Sequence, residues 1–150
     1  MGMLGIVFAS CASIGGAAYG IITAGVSMAG AGTERPEIVT KALLAVVLAE
    51  AIGIYGLLTS VMLITKMDVL IASYDAAVKG FFAGLIMGIC GLVAALAIGY
   101  TGSAMAGAGT ERPEIVTKVL LSVVLAEALA IYGLLISIMV INTIGVAVPH

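Results

Sequence analysis

The chain has no tryptophan and no glutamine, and its only histidine is the last of 150 residues. Charge is nearly as scarce, with six Lys and Arg against eight Asp and Glu, or 9% of the chain where soluble proteins carry about 25%. A net charge of −2 leaves neither a basic patch for nucleic acid nor an acidic tail, so nucleic-acid binding is excluded as a function. Cys11 and Cys90 stand in apolar stretches without a second cysteine or a histidine beside them. That isolation argues against a metal site or a loop-closing disulfide, and both are read as small packing residues. No glycine-rich phosphate loop is present either, so the chain is expected to make no nucleotide contact of its own.

What fills the sequence is hydrocarbon, at 63% apolar residues and a mean hydropathy of +1.30. A helix needs about 20 predominantly apolar residues to cross a bilayer. Four segments qualify, near residues 3–31, 38–65, 78–108 and 115–145, and an all-α membrane protein follows. The first apolar stretch has no Lys or Arg ahead of it and outruns the roughly 7–15 apolar residues of a signal peptide, so it is expected to be a retained span.

Charges collect between the spans. The first connection holds Glu34, Arg35, Glu37 and Lys41, the third repeats it with Glu111, Arg112, Glu114 and Lys118, and the second has Lys66, Asp68, Asp75 and Lys79. The excess of Lys and Arg on the first and third predicts that these two loops face the cytoplasm, with both termini outside. Glu37 with Lys41 and Glu114 with Lys118 are spaced as i,i+4 ion pairs, and Pro36 and Pro113 are suited to first helical positions. Arg35 and Arg112 are less fully explained by helix formation, which makes them candidate contacts to a cytoplasmic partner.

The strongest pattern is a repeat. Residues 28–58 return as 105–135 with changes only at Ala42/Val119, Ala45/Ser122, Ile52/Leu129 and Gly53/Ala130. An offset of 77 residues spans one helical hairpin, so both copies cross the membrane in the same direction, as two tandem parallel hairpins of residues 1–77 and 78–150. In the first and third spans small residues recur at spacing four: Ala12, Gly16, Gly20 and Ala24, then Gly80, Gly84 and Gly88, continuing at Ala95, Gly99, Ser103 and Gly107. Such stripes let helices approach closely and suit an inner layer, with the bulkier second and fourth spans outside.

Glu50 and Glu127 are the carboxylates at membrane depth. Each follows its proline by 14 residues, about 21 Å along a helix. A charged carboxylate there costs on the order of 2.5–3.5 kcal/mol on insertion scales, so each should be neutral or ion-paired most of the time. Three and four residues away lie Val46, Val47, Gly53 and Ile54, or Val123, Val124, Ala130 and Ile131, none able to pair with an acid. The nearest bases along the chain, Lys41 and Lys118, each lie nine residues before their glutamate, close to the start of the span, so neutralisation falls to a proton or a bound cation. Tyr55 and Tyr132 follow their glutamates by five, which turns them off the acid's face, so they can support a carboxylate only across an interface.

RPEIVTK followed by VVLAEAIGIYGLL, with its second copy, resembles the rotor proteolipid, known as c or K, of V-type and A-type rotary ATPases. The resemblance covers nearly the whole chain. It implies a homo-oligomeric ring, embedded among membrane lipids and joined to central-stalk subunits, that turns against a stator membrane subunit. The stator supplies an arginine to each passing acid while ATP is made or hydrolysed elsewhere. Glu50 and Glu127 would then be the ion-translocating residues. Eukaryotic vacuolar relatives typically lack one of the two acids, so their joint presence resembles prokaryotic proteolipids of a cell membrane. More ions per turn lowers the gradient needed for each ATP, which suits a synthase.

Sodium-binding members typically surround the acid with Gln and Ser or Thr. Here the neighbours are Ala51, Ile52, Ala128 and Leu129, with Ile21 and Ile98 expected on the partner helix and Tyr19 the nearest polar exception. A hard cation would lack oxygen ligands, so protons are expected rather than sodium, and no further cofactor. A small multidrug antiporter would also use membrane glutamates. It would need an aromatic-lined pocket and antiparallel pairing, and neither fits. A purely structural tetraspan oligomer would leave both acids without a reason.

Overall fold

The computed structural model describes residues 1–146. They form five helices: α1 (Gly2–Glu34), α2 (Pro36–Ile64), the short α3 (Met67–Ala72), α4 (Tyr74–Glu111) and α5 (Pro113–Asn142). The four long ones are apolar enough to cross a membrane. At 29 to 38 residues each, or about 44–57 Å, they overrun a hydrocarbon core of roughly 30 Å.

Both hairpins turn on a single extended residue. Proline crowds the residue before it out of the helical region, and Arg35 accordingly sits at φ −139°, ψ 91° and Arg112 at φ −137°, ψ 90°. Each arginine N–H still bonds back to the preceding helix, to the Ala31 or Ala108 carbonyl at 2.9 Å, and each arginine carbonyl accepts from Ile38 or Ile115 at 3.0 Å. The break is therefore sharp, with no loop. It is sharper than the expected span limits of 31–38 and 108–115, because the AGAGTE segments stay helical to their last residue.

The second connection differs from the sequence expectation. A turn of helix, α3, fills what reads as a loop, and Ser73 starts α4 four residues before the expected 78 by accepting the Ala76 N–H at 3.5 Å. At the other end α5 stops at Asn142 instead of 145. Residues 147–150, the end of the second expected unit, lie outside the described residues.

Helices α1 and α4 pack most closely, with α2 and α5 lying along one side of the pair and touching each other. Glycine makes the approach possible. A Cβ at Gly88 would stand 2.6 Å from the Phe8 carbonyl oxygen, and one at Gly20 would stand 2.7 Å from that of Ala95. The core is correspondingly made of small residues, among them Ala9, Ala24, Ala49, Ala94 and Ala95. The expected stripe fails at its end: Gly107 faces open space, and Gly102 and Gly109 make the contacts there. Cys90 packs on Gly133, whereas Cys11 is exposed rather than packed.

The repeat is visible in the hydrogen bonds. Ser60 Oγ donates to the Ile6 carbonyl at 3.0 Å, and its counterpart Ser137 donates to the Ala83 carbonyl at 2.8 Å.

Candidate ion-carrying site

Glu50 and Glu127 lie near the middle of α2 and α5, each fifteenth from its opening proline. Their surroundings differ. The Tyr55 hydroxyl of α2 donates a 2.8 Å hydrogen bond to Glu127 Oε1 of α5, so the tyrosine of the first hairpin serves the acid of the second. Tyr55 is half-buried and packs against the alanine-rich core, and its backbone carbonyl accepts from Thr59 Oγ1 at 3.0 Å. Glu127 is half-buried as well.

Glu50 is exposed and has no hydrogen bond among the described residues, so the two acids differ in their surroundings within one chain. It borders an open hollow of about 280 Å³ formed by Ile14, Ala17 and Ile21 of α1 with Gly53, Ile54 and Leu57 of α2. Ile21 is thus where the hairpin mirror puts it, and Glu50 provides the only oxygen-bearing side chain of the lining. Tyr19 turns to the Tyr100 hydroxyl, 3.0 Å away. Tyr132, 60% exposed, makes no hydrogen bond to an acid among the described residues.

The loop charges also differ from the spacing argument. Glu37 lies 3.8 Å from Arg35, and neither the Glu37–Lys41 nor the Glu114–Lys118 pair forms among the described residues. The i,i+4 pair that does form is Asp75 with Lys79, at 2.6 Å. Arg112 is exposed, Arg35 half-exposed. No group of three or more His, Cys, Asp or Glu is gathered to hold a metal among the described residues.

The Tyr55 hydroxyl thus holds the Glu127 carboxyl in place between α2 and α5. The sequence matches the family of the ATP synthase C subunit twice, over residues 4–63 and 81–140. The chain belongs to that family. Among its relatives is a 16 kDa proteolipid of the V-type proton ATPase from Caenorhabditis briggsae, 35% identical over 140 residues, 91% of this chain and 86% of the relative. The V-type proton ATPase proteolipid subunit of Dictyostelium discoideum is 36% identical over 92% of this chain and 71% of its own length. A third relative, the V-type proton ATPase 16 kDa proteolipid subunit of Entamoeba dispar, is 30% identical over 95% and 81%. These relatives are eukaryotic and lend no support to the prokaryotic expectation. As a member of the family with four apolar helices long enough to span, this proteolipid is an integral membrane protein.

The sequence pointed to both tyrosines but did not say which acid each would meet. The repeat was the available signal: Tyr55 and Glu127 lie on the repeat-equivalent helices α2 and α5, which touch where the two hairpins pack side by side.

Proposed function

We propose that the proteolipid carries protons across the membrane on Glu50 and Glu127, as one protomer of a rotor ring in a V-type or A-type ATPase, coupled to ATP synthesis or hydrolysis elsewhere in the complex. The observation that carries this reading is the Tyr55–Glu127 bond at mid-helix, on a helix whose one base, Lys118, lies nine residues before the acid near the helix start. Each carboxyl travels through lipid as the neutral acid, since the charged form is costly there. It gives up its proton where a stator arginine and a water-filled half-channel replace the lipid, and it takes another on the far side. Moving one charge across is worth about 2.3 kcal/mol per 100 mV, and rotation passes that work to the head.

Protons fit better than sodium because, among the described residues, the hydroxyl of Tyr55 is the one side-chain oxygen bonded to Glu127, and the wall beside Glu50 is hydrocarbon. Sodium would need several more oxygens. The arginine-bearing turns, Arg35 and Arg112, face the cytoplasm in this reading and meet the central stalk.

The test uses the whole complex in proteoliposomes. Replacing both acids, Glu50→Gln with Glu127→Gln, should abolish ATP-driven acidification while leaving the ring of native mass. Acidification at the normal rate would overturn the proposal, and sodium-protected carbodiimide labelling at neutral pH would replace the proton with sodium.

A further inference from the structure

At each position where the two copies of the repeat differ, one residue is buried and its counterpart is not. Ala42, Ala45 and Ile52 are buried, whereas Val119 is half-buried and Ser122 and Leu129 are exposed; Ala130 is buried where Gly53 is half-buried. The sequence departs from itself where the two hairpins have different neighbours. Only the change from Ala45 to Ser122 brings in a polar group. Ser122 stands tenth in α5, about 14 Å along the helix, at a depth where a hydroxyl without a partner is costly.

Every other serine of the four long helices has a partner for its hydroxyl. That of Ser122 has none among the described residues. Three of the partners are carbonyls of another helix, and each stands next to a glycine. Ser13 donates to Met87, before Gly88, at 3.4 Å; Ser60 donates to Ile6, after Gly5; and Ser137 donates to Ala83, before Gly84. Glycine lets the facing backbone come within a serine's short reach.

The repeat locates such a backbone for Ser122. Its counterpart Ala45 packs on Gly102 of the other hairpin, so closely that a Cβ at Gly102 would stand 2.6 Å from that of Ala45. The counterpart of Gly102 is Gly25, which has nothing within 4 Å of where its Cβ would be. Resting on the ring reading above, we infer that Ser122 of one protomer packs on Gly25 of the next and donates its hydroxyl to a main-chain carbonyl beside that glycine. The occupant is a second copy of this chain because Ala45 meets Gly102 across the junction of two hairpins, and only another chain supplies a hairpin beyond the second. Within a chain the hairpins are also joined covalently through α3. Between chains that link is missing, and there the alanine is replaced by a residue that can form a hydrogen bond.

The experiment follows the release of single chains from the purified ring in detergent by native mass. Ser122→Ala should speed release about three- to twenty-fold, the range of one hydrogen bond between membrane helices. Unfolding of the released single chain should be unchanged by Ser122→Ala, since the bond is not made within a chain. A serine that bonds only to its own helix, as Ser10 does to Ile6, would leave release at the unaltered rate.

Exchanging the sizes is the second readout. Gly25→Ala puts a methyl where the serine packs and should speed release further than Ser122→Ala does. Combining Gly25→Ala with Ser122→Gly should bring release back to the Ser122→Ala rate, because the fit is restored and the hydroxyl is not. A ring whose release is unaltered by Ser122→Ala, or that the exchange fails to restore, overturns the Ser122 contact and leaves the rotor reading standing. Absence of any ring by native mass in the unaltered complex overturns both.

Discussion

Glu50 and Glu127 occupy the same position in two copies of nearly one sequence, with LAEA around both, yet the folded chain treats them differently. Glu127 has a phenol at 2.8 Å and a neighbouring hairpin beside it; Glu50 has an open hollow. The local sequence is almost the same, so the cause lies in what stands next to each. The first hairpin presents its tyrosine to the second, and among the described residues no third copy of that face stands beside Glu50. A carboxylate's environment is thus a property of the interface it occupies and not of the helix that carries it.

The comparison can be broken hardest through packing. Gly84 lies against the backbone of Gly5, whereas its repeat counterpart Val7 is exposed. Gly84→Val should therefore destabilise the single chain by about 3 kcal/mol or more, since the contact is with backbone that cannot move aside. Val7→Gly should change it little, and unfolding in detergent micelles would measure both. Equal effects would mean that the two hairpins do not differ in the way described.

The next effect is on the acids' partners. In single chains, Tyr55→Phe should alter the labelling rate of Glu127 by about two- to ten-fold and Tyr132→Phe that of Glu50 not at all. Smaller, and directed at function, is the effect of losing one acid. Glu50→Gln or Glu127→Gln alone should roughly halve the protons moved per ATP in proteoliposomes, because each protomer then carries one instead of two; a ratio left unchanged by either variant would show that its acid does not cycle.

The smallest effect is one of sameness. Ser60 and Ser137 make equivalent bonds inside their own hairpins, so Ser60→Ala and Ser137→Ala should each cost about 0.6 kcal/mol of stability, equal within error. A large difference between them would place the asymmetry inside the hairpins and not between them.

Much of this was legible in the sequence because the controlling physics is local or compositional. Four hydrocarbon-rich segments specify four spans in any bilayer protein. Arg-Pro specifies each turn through a steric clash within one dipeptide, and two acids far from any base specify a neutralising cation. The span limits drifted where helix continued through polar residues that resemble a loop, at Thr33–Glu34 and Thr110–Glu111, and α3 was missed for the same reason. The i,i+4 pairs at Glu37 and Glu114 were spaced correctly but did not form, since exposed side chains at a helix start gain little by holding one rotamer.

The sequence by itself determined the class of protein, the doubling of the hairpin, the depth of both acids and the residue types around them, all of which depend on spacing along one helix. Only the tertiary structure decided that Tyr55 serves Glu127, that Glu50 is left facing an open hollow, and that Gly109 rather than Gly107 carries the contact at the end of α4. Those outcomes depend on the rotation of one helix against another. That rotation is fixed by which small residues let backbones meet, a sum over many contacts that no single segment contains.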